Sequence, residues 1–447
     1  MNPAAEAAVK GVEPMERTAS LFAGILGPAF TVKEVNVVRW AIVILTAAIS
    51  GLRGLYLSFQ NGGFQRVFQG DFIYFYSFGR ILNEYPAARL YDYALHMKIC
   101  DMLQPLTAGK WGHSPYPPTV AMLFQPLAAM NFFAAYMLWL AISFGLYSAG
   151  LFIVTRRFFP SDPFRRALVF CFGLCFAPFL GWIMEGGQIS TLGFFAMALA
   201  FCLEDRDRPL LSGLALSLCT YKPTLLLLLL PMLLVTRRYR TLLGFAVGAS
   251  VLAVLPIPFH GIGVWSGYLN TVLNFSNTVR TPSFYVDLGA FASLIPGGRS
   301  WPGRFVFVGL AAWAGFSLVC VWWRSIGAQR STRTLVWATT LTWTLVLNVY
   351  VPLYDVILVV IGIVATVAAL NNLPDKRLHR RLTIVWLLIF AFAGITQGLA
   401  QRAGFQIITV PLVLLGILQF SALRKIDPPT ATTGPRDHAS ALVAVPN

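Results

Sequence analysis

Apolar stretches of bilayer length follow one another along almost the whole chain, at about residues 38–57, 132–155, 167–183, 188–203, 241–258, 304–323, 334–350, 353–370, 382–398 and 404–421. A helix crosses the hydrocarbon core with roughly 20 mostly apolar residues, so each stretch reads as a span. Between the polar loop 204–208 and Thr236-Arg237-Arg238 lies a further apolar region, interrupted by Tyr221-Lys222-Pro223. Both of its flanks are basic, and one straight span would break the alternation that keeps Lys and Arg on the cytoplasmic side. The pattern therefore predicts two short helices, about 209–221 and 223–236, meeting at Lys222. Pro223 suits the first turn of the second helix, where its missing N–H leaves nothing unsatisfied. Counting both, the chain has about twelve spans with both ends cytoplasmic.

The intervening stretches divide the rest. Residues 1–35 form a cytoplasmic or interfacial segment whose apolar patch, Leu21 to Phe30, is too short to span. The region 58–131 is a long first extracytoplasmic loop, and 259–303 is a second, carrying Trp265, Tyr268, Arg280, Tyr285 and Asp287. A Pro/Thr/Ala-rich tail, 426–447, is expected to be disordered in the cytoplasm. The first 30 residues carry Glu6, Glu13 and Glu16, and no cleavable signal peptide is evident. Residues 36–425 then make one all-α transmembrane domain. Composition agrees: 57% of residues are hydrophobic, 12% are charged, and mean hydropathy is +0.68.

A net charge of +16 would otherwise point to nucleic acid. Here the basic residues sit in short clusters between spans, Arg156, Arg157, Arg165 and Arg166, then Arg237, Arg238 and Arg240, then Lys376, Arg377, Arg380 and Arg381. They read as topology signals, with about two thirds of the 34 Lys and Arg on the inner side. Membrane lipids are expected partners and nucleic acid is not; oligomeric state is not readable. The six cysteines form no disulfide or metal pattern, and Cys171 and Cys175, one helical turn apart, read as packing residues. No acidic metal cluster appears, so neither metal nor cofactor is expected.

This topology leaves Asp71, Glu84, Asp92, Asp101, Glu185, Asp287 and Asp355 facing outward among the 18 acidic residues. Asp71 leads them because it opens an aromatic run, Phe72 to Phe78, expected to hold the following helix against the membrane while the carboxylate faces inward. Two compatible readings stand: an N-cap for that helix, or a general base. Tyr116-Pro117-Pro118 fixes a turn, since two prolines cannot donate backbone hydrogen bonds. Lys222 is a lone charge amid apolar residues, a functional position by default in a membrane. It would hold a lipid-linked phosphate, helped by the helix start after Pro223, unless it snorkels to the interface. Glu185 precedes Gly186-Gly187-Gln188, a tight turn that offers Gln188 to a sugar hydroxyl. Tyr354-Asp355, after Pro352, is a helix cap or a second polar contact. His96, His113 and His260 are acid/base candidates or ordinary loop histidines.

The succession Gly70-Asp71-Phe72 with Tyr74, Leu90-Tyr91-Asp92, Tyr116-Pro117-Pro118 with Pro126-Leu127, Gly187-Gln188, Tyr221-Lys222-Pro223 and Tyr354-Asp355 resembles glycosyltransferase family 87, over about residues 65–370. The specificity lies in the order and spacing of short motifs. The resemblance implies a GT-C-type multispan helical bundle in a bacterial inner membrane, with its active site facing the periplasm. It further implies inverting transfer of a hexose, mannose in some members, from a polyprenyl-phosphate donor to a lipid or glycan acceptor. The family's catalytic aspartate in the first outer loop corresponds to Asp71, and the lysine of its Lys-Pro motif to Lys222. Arg80 and Arg280 are further cations for the donor phosphate, and Tyr74, Tyr116, Pro117, Gln188, Glu185, Tyr354, Asp355 and His260 are expected around the substrates. The assisting histidine of some members has no assignable counterpart. A transporter or flippase of lipid-linked saccharides is the main alternative, and it would call for polar residues on several spans and internal symmetry. A non-enzymatic scaffold would leave Lys222 as an unexplained cost.

Overall fold

The structure, a computed structural model, describes residues 70–105, 115–274, 282–370 and 375–426. The expected span at 38–57, the N-terminal segment and the tail lie outside these residues, as do His113 and Arg280. Three short helices come first, α1 (Phe72–Glu84), α2 (Tyr93–Leu103) and α3 (Pro118–Phe124), followed by the long α4 (Phe132–Phe158). Next are α5 (Pro163–Leu174), a π-helical turn (Pro178–Met184), α6 (Ser190–Glu204) and α7 (Pro209–Ser217). Two 3-10 turns, Leu218–Tyr221 and Pro223–Leu226, lead to α8 (Leu229–Val235), α9 (Tyr239–Val254) and α10 (Ile257–His260). The remainder is α11 (Gly263–Asn274), α12 (Leu288–Leu294), α13 (Trp301–Arg324), α14 (Arg330–Val346), α15 (Val359–Leu370), α16 (Lys376–Ala403) and α17 (Thr409–Ile426). Among the described residues there is no strand, only an isolated bridge between Tyr285 and Pro352.

Among the described residues, six helical segments are long and apolar enough to cross a membrane: Phe132–Phe158, Tyr239–His260, Trp301–Arg324, Leu353–Leu370, Lys376–Ala403 and Thr409–Ile426. Three shorter apolar segments join them, Ser190–Glu204, Pro209–Tyr221 and Pro223–Val235. Capping explains several starts: the Asn131 side chain accepts from Ala134 N at 2.9 Å to open α4, and Asp375 accepts from Leu378 N at 2.9 Å to open α16. The stretch at 167–183 is not one straight helix. It stops at Leu174 and resumes as the π-turn at Pro178, a residue that has no N–H to carry the ladder across. The helix expected at 334–350 is α14, and it is buried despite its threonines. Thr339, Thr340 and Thr344 satisfy their hydroxyls on carbonyls one turn back, at 2.7–2.8 Å.

Neighbouring helices pack in the order α9, α7, α6, α4, α15, α14, α17, α16. The α7–α9 contact is the closest, because Gly244 and Gly248 of α9 let backbones touch. A Cβ on Gly244 would lie 2.1 Å from Leu210 O, and one on Gly248 would lie 2.2 Å from Ser217 Oγ. Small residues spaced by four supply such contacts where no hydrophobic gain drives helices together.

The long first loop is itself a helical layer. α1 packs on α3 and α2, and its aromatic run faces protein, which corrects the expectation that it lies against lipid. Phe72, Phe75 and Phe78 are at most 2% exposed. Phe72 alone contacts Phe124, Phe132 and Tyr136, with ring centroids 6.0, 5.6 and 5.4 Å away. This layer docks on the end of the bundle formed by the start of α4 and the turn before α6.

Candidate active site

Gly70-Asp71-Phe72 and Glu185-Gly186-Gly187-Gln188 lie backbone to backbone. Phe72 N donates to Gly186 O at 3.0 Å. A Cβ on Gly70 would fall 2.3 Å from Gly186 Cα, and one on Gly187 would fall 2.6 Å from Phe72 Cβ. Gly187 also has φ +66, a left-handed conformation that favours glycine. From the other side, Tyr136 Oη donates to Glu185 O and Trp139 Nε1 to Gly187 O, each at 2.9 Å. Glu185 thus enters through its carbonyl, as part of the frame.

The two glycine turns bring Asp71 and Gln188 together. Asp71 occupies the N-cap position of α1, but its side chain caps nothing; instead Gln188 Nε2 donates to Asp71 Oδ2. Gln188 is 2% exposed, and its Oε1 is buried without a hydrogen-bond partner among the described residues. Burial pushes the Asp71 carboxyl up to about 6, against the pull of the Gln188 hydrogen bond and the Lys222 charge. Tyr74 stands on the first turn of α1, its N–H bonded to Asp71 O at 3.0 Å.

Lys222 lies at the break between the two 3-10 turns, with φ −141 and ψ 81, outside helical geometry. Its ammonium does not snorkel: the residue is 6% exposed, and Nζ pairs with Asp355 Oδ2. Ser190 Oγ donates to the other oxygen, Asp355 Oδ1, at 2.6 Å. Of the two readings of Asp355, the polar contact is the one seen, and the helix after Pro352 begins without a side-chain cap. The rings of Tyr350 and Tyr354 face Lys222 Nζ at 5.0 and 4.9 Å from their centroids. Tyr116, set by the turn into α3 at Pro117 and Pro118, packs edge-on against Phe75 with ring centroids 5.0 Å apart, and lies near Asp71, Asp355 and Tyr354. Asn348 ties the assembly to the helix break, donating to Thr224 O at 2.7 Å. One cluster therefore holds Asp71, Gln188, Ser190, Lys222, Asp355 and tyrosines 116, 350 and 354.

Other expected residues stand elsewhere. Arg80 lies nine residues after Asp71, about 13 Å along α1, and pairs with Glu84 at 2.8 Å across one turn. His260 ends α10, its ring 6.4 Å from that of Phe259. His96 is a strut: it is 2% exposed, with Nδ1 2.9 Å from Ser77 Oγ and Nε2 3.0 Å from Leu90 O. Asp92 and Asp287 cap α2 and α12. Ser190, Asn348 and Tyr350 were not singled out in the sequence. Ser190 stands two residues after Gln188 and Tyr350 four before Tyr354, which is a signal only once the cluster is known.

No curated protein and no solved structure matches the chain. The family model for glycosyltransferase family 87 matches residues 115–352, from just before Tyr116-Pro117-Pro118, through Gln188 and Lys222, to the turn that precedes Tyr354-Asp355. Asp71 lies before the matched stretch and Asp355 just after it. The match covers more than half of a chain whose long apolar helices mark a multi-pass membrane protein, with the buried Lys222–Asp355 pair where its helices break. The chain belongs to glycosyltransferase family 87.

Proposed function

We propose that the protein transfers a hexose from a polyprenyl-phosphate sugar to a hydroxyl of a lipid or glycan acceptor, with inversion, at the Asp71–Lys222 cluster. The observation that carries this reading is the convergence of one half-buried carboxylate and one buried ammonium, from segments about 150 residues apart, at a site framed by glycine turns. In the reaction, Asp71 takes the proton of the acceptor hydroxyl through Oδ1 while Gln188 holds Oδ2. The acceptor oxygen bonds to the anomeric carbon from the face opposite the phosphate. The anomeric carbon–oxygen bond breaks and its electron pair leaves with the polyprenyl phosphate, whose charge Lys222 Nζ offsets.

The parts suit these roles. A carboxyl raised to about 6 is still ionised at neutral pH yet more basic than an ordinary aspartate. A phosphate leaving group needs positive charge more than a proton, and a preorganised ammonium in a poorly hydrated site supplies it. Nζ has three N–H groups and gives one to Asp355, which leaves two for phosphate oxygens. The buried, unpartnered Oε1 of Gln188 would accept from a sugar hydroxyl. The positive-inside pattern of the sequence supports a reading in which this end of the bundle faces the periplasm, and the resemblance supports a GT-C-type arrangement of about twelve spans.

The test supplies membranes holding wild-type protein or Asp71→Asn with radiolabelled polyprenyl-phosphate hexoses and follows label into a second product. The Asn variant should lose about 10²- to 10⁴-fold in rate, the span of general base catalysis. Undiminished transfer would remove Asp71 as the base.

A further inference from the structure

The opposite end of the bundle carries a second polar cluster. α6 runs about 22 Å from Ser190 to Glu204 and α14 about 25 Å back from Arg330 towards Asn348. Between the ends of α8, α13 and α14 lies a half-open cavity of about 400 Å³, lined by Thr236, Arg237, Arg238, Ser325, Arg333 and Trp337 among others. Arg238 is held 3.5 Å from Glu204 and Arg333 3.6 Å from Asp207, while Arg237 makes no ion pair among the described residues. Three arginines against two carboxylates leave the cavity positive.

Arg237 is unusual in its backbone. α8 ends in a paired closure, with Arg237 N bonded to Leu234 O at 3.1 Å and Arg238 N to Leu233 O at 2.8 Å. That closure puts Arg237 at φ +58, the place a glycine normally takes. A basic residue serving only as a topology signal needs neither this strained position nor a cavity in front of it. α9 and α14, whose starts border the same cavity, have no side-chain cap and no acid in the first turn. Their free N–H groups add to the preference for an anion. Two residues before Thr236 and Ser325 of the lining, Leu234 is 58% and Trp323 64% exposed, apolar surfaces suited to acyl chains.

We propose that this cavity binds an anionic phospholipid, its phosphate among Arg237, Arg238 and Arg333 and its chains along Leu234 and Trp323. The site lies at the other end of α6 and α14 from the Asp71 cluster and does not depend on the transferase reading.

The experiment uses the full-length protein, stripped of lipid in neutral detergent. It is titrated with dioctanoyl phosphatidylglycerol, dioctanoyl phosphatidylcholine or inorganic phosphate, with native mass spectrometry as the readout. Phosphatidylglycerol should bind in preference to phosphatidylcholine. Arg237→Gly with Arg333→Gln should weaken it at least about tenfold through lost charge-assisted contacts, and Arg381→Gln on another helix should change it less than about twofold. Arg237→Gly alone should weaken lipid binding while its thermal midpoint is unchanged or higher, since glycine relieves the strained closure. Unaltered binding in the double variant overturns the proposal, as does equal loss in Arg381→Gln, the mark of diffuse surface charge. Inorganic phosphate binding as tightly as the lipid assigns the cavity to a soluble anion and also overturns it.

Discussion

Asp71 is held through Oδ2 by Gln188, and among the described residues no hydrogen bond to Oδ1 is seen, an arrangement that suits the proposed role of proton acceptor. Its acid–base behaviour gives a signed prediction. The carboxyl sits at about 6, above its ordinary value of 3.8, chiefly through burial. As a base it must be ionised, so transfer should be full above that value and fall tenfold per pH unit as pH drops through about 6, measured as kcat/KM. The same shift means the folded protein binds a proton that the unfolded chain has released between 3.8 and about 6, so this group's contribution to stability declines as pH rises across that window. Asp71→Asn cannot ionise, so at pH 7 its thermal midpoint should equal or exceed that of the wild type while activity is lost. A lower midpoint would show that the carboxylate is structural. Lys222 behaves oppositely. Removing it alone leaves Asp355 as an unpaired buried carboxylate, a loss of about 3–5 kcal/mol, so Lys222→Ala would confound stability with chemistry. The pair Lys222→Met and Asp355→Leu should recover much of that stability, seen as a thermal midpoint well above that of Lys222→Met alone. It should still fail to bind a polyprenyl-phosphate hexose, the proposed donor. Retained donor binding in the stable double variant would exclude Lys222 as the phosphate contact.

At the scale of elements, the site exists because two loops can approach to backbone contact. Gly187→Ala would add a Cβ 2.6 Å from that of Phe72 in a left-handed conformation. The conformation alone disfavours alanine by about 1–2 kcal/mol, and the clash would push Asp71 away from Gln188. Transfer should fall at least about tenfold, with helicity by circular dichroism unchanged; wild-type rates would show that the register of the turn is irrelevant. This juxtaposition also explains what could be read from the chain. The break at Lys222 was legible because it combines a charge, a proline and two basic flanks, each with a local meaning. The pairing of Asp71 with Gln188 was not, since their separation of 117 residues is bridged only by the docking of α1 on α4 and the turn. The aromatic run after Asp71 was misread for a related reason. Apolar rings look alike to lipid and to protein, and only the position of α3 and Phe132 decides which covers them. His96, which the sequence leaves open between acid/base support and an ordinary loop histidine, is placed as a strut by contacts with Ser77 and Leu90.

On the scale of the whole molecule, the Asp71 cluster and the arginine-rich end are separated by the lengths of α6 and α14, close to the thickness of a bilayer. The charge asymmetry belongs to that axis. Arg157 pairs with Asp205 at 2.5 Å, and Arg330 Nε donates to the same carboxylate at 2.8 Å, so the last turn of α4, the connection after α6 and the start of α14 are tied at one end. Exposed surface at the other end is provided by the α1–α3 layer, where Tyr93 is 50% exposed. If the positive-inside rule governs insertion, the Asp71 end faces away from the cytoplasm, and the proposed polyprenyl-phosphate donor would be consumed there. A chain with its native cysteines replaced and one cysteine at Tyr93 should react with a membrane-impermeant maleimide in intact spheroplasts. One with its cysteine at Gln329, exposed beside the arginine-rich end, should react only after the membrane is opened. The reverse pattern would leave the chemistry of the Asp71 cluster intact while moving it to the cytoplasmic face, where soluble nucleotide sugars compete as donors. Labelling therefore tests the donor class as well as the orientation, because only an extracytoplasmic site requires a sugar already carried across on lipid.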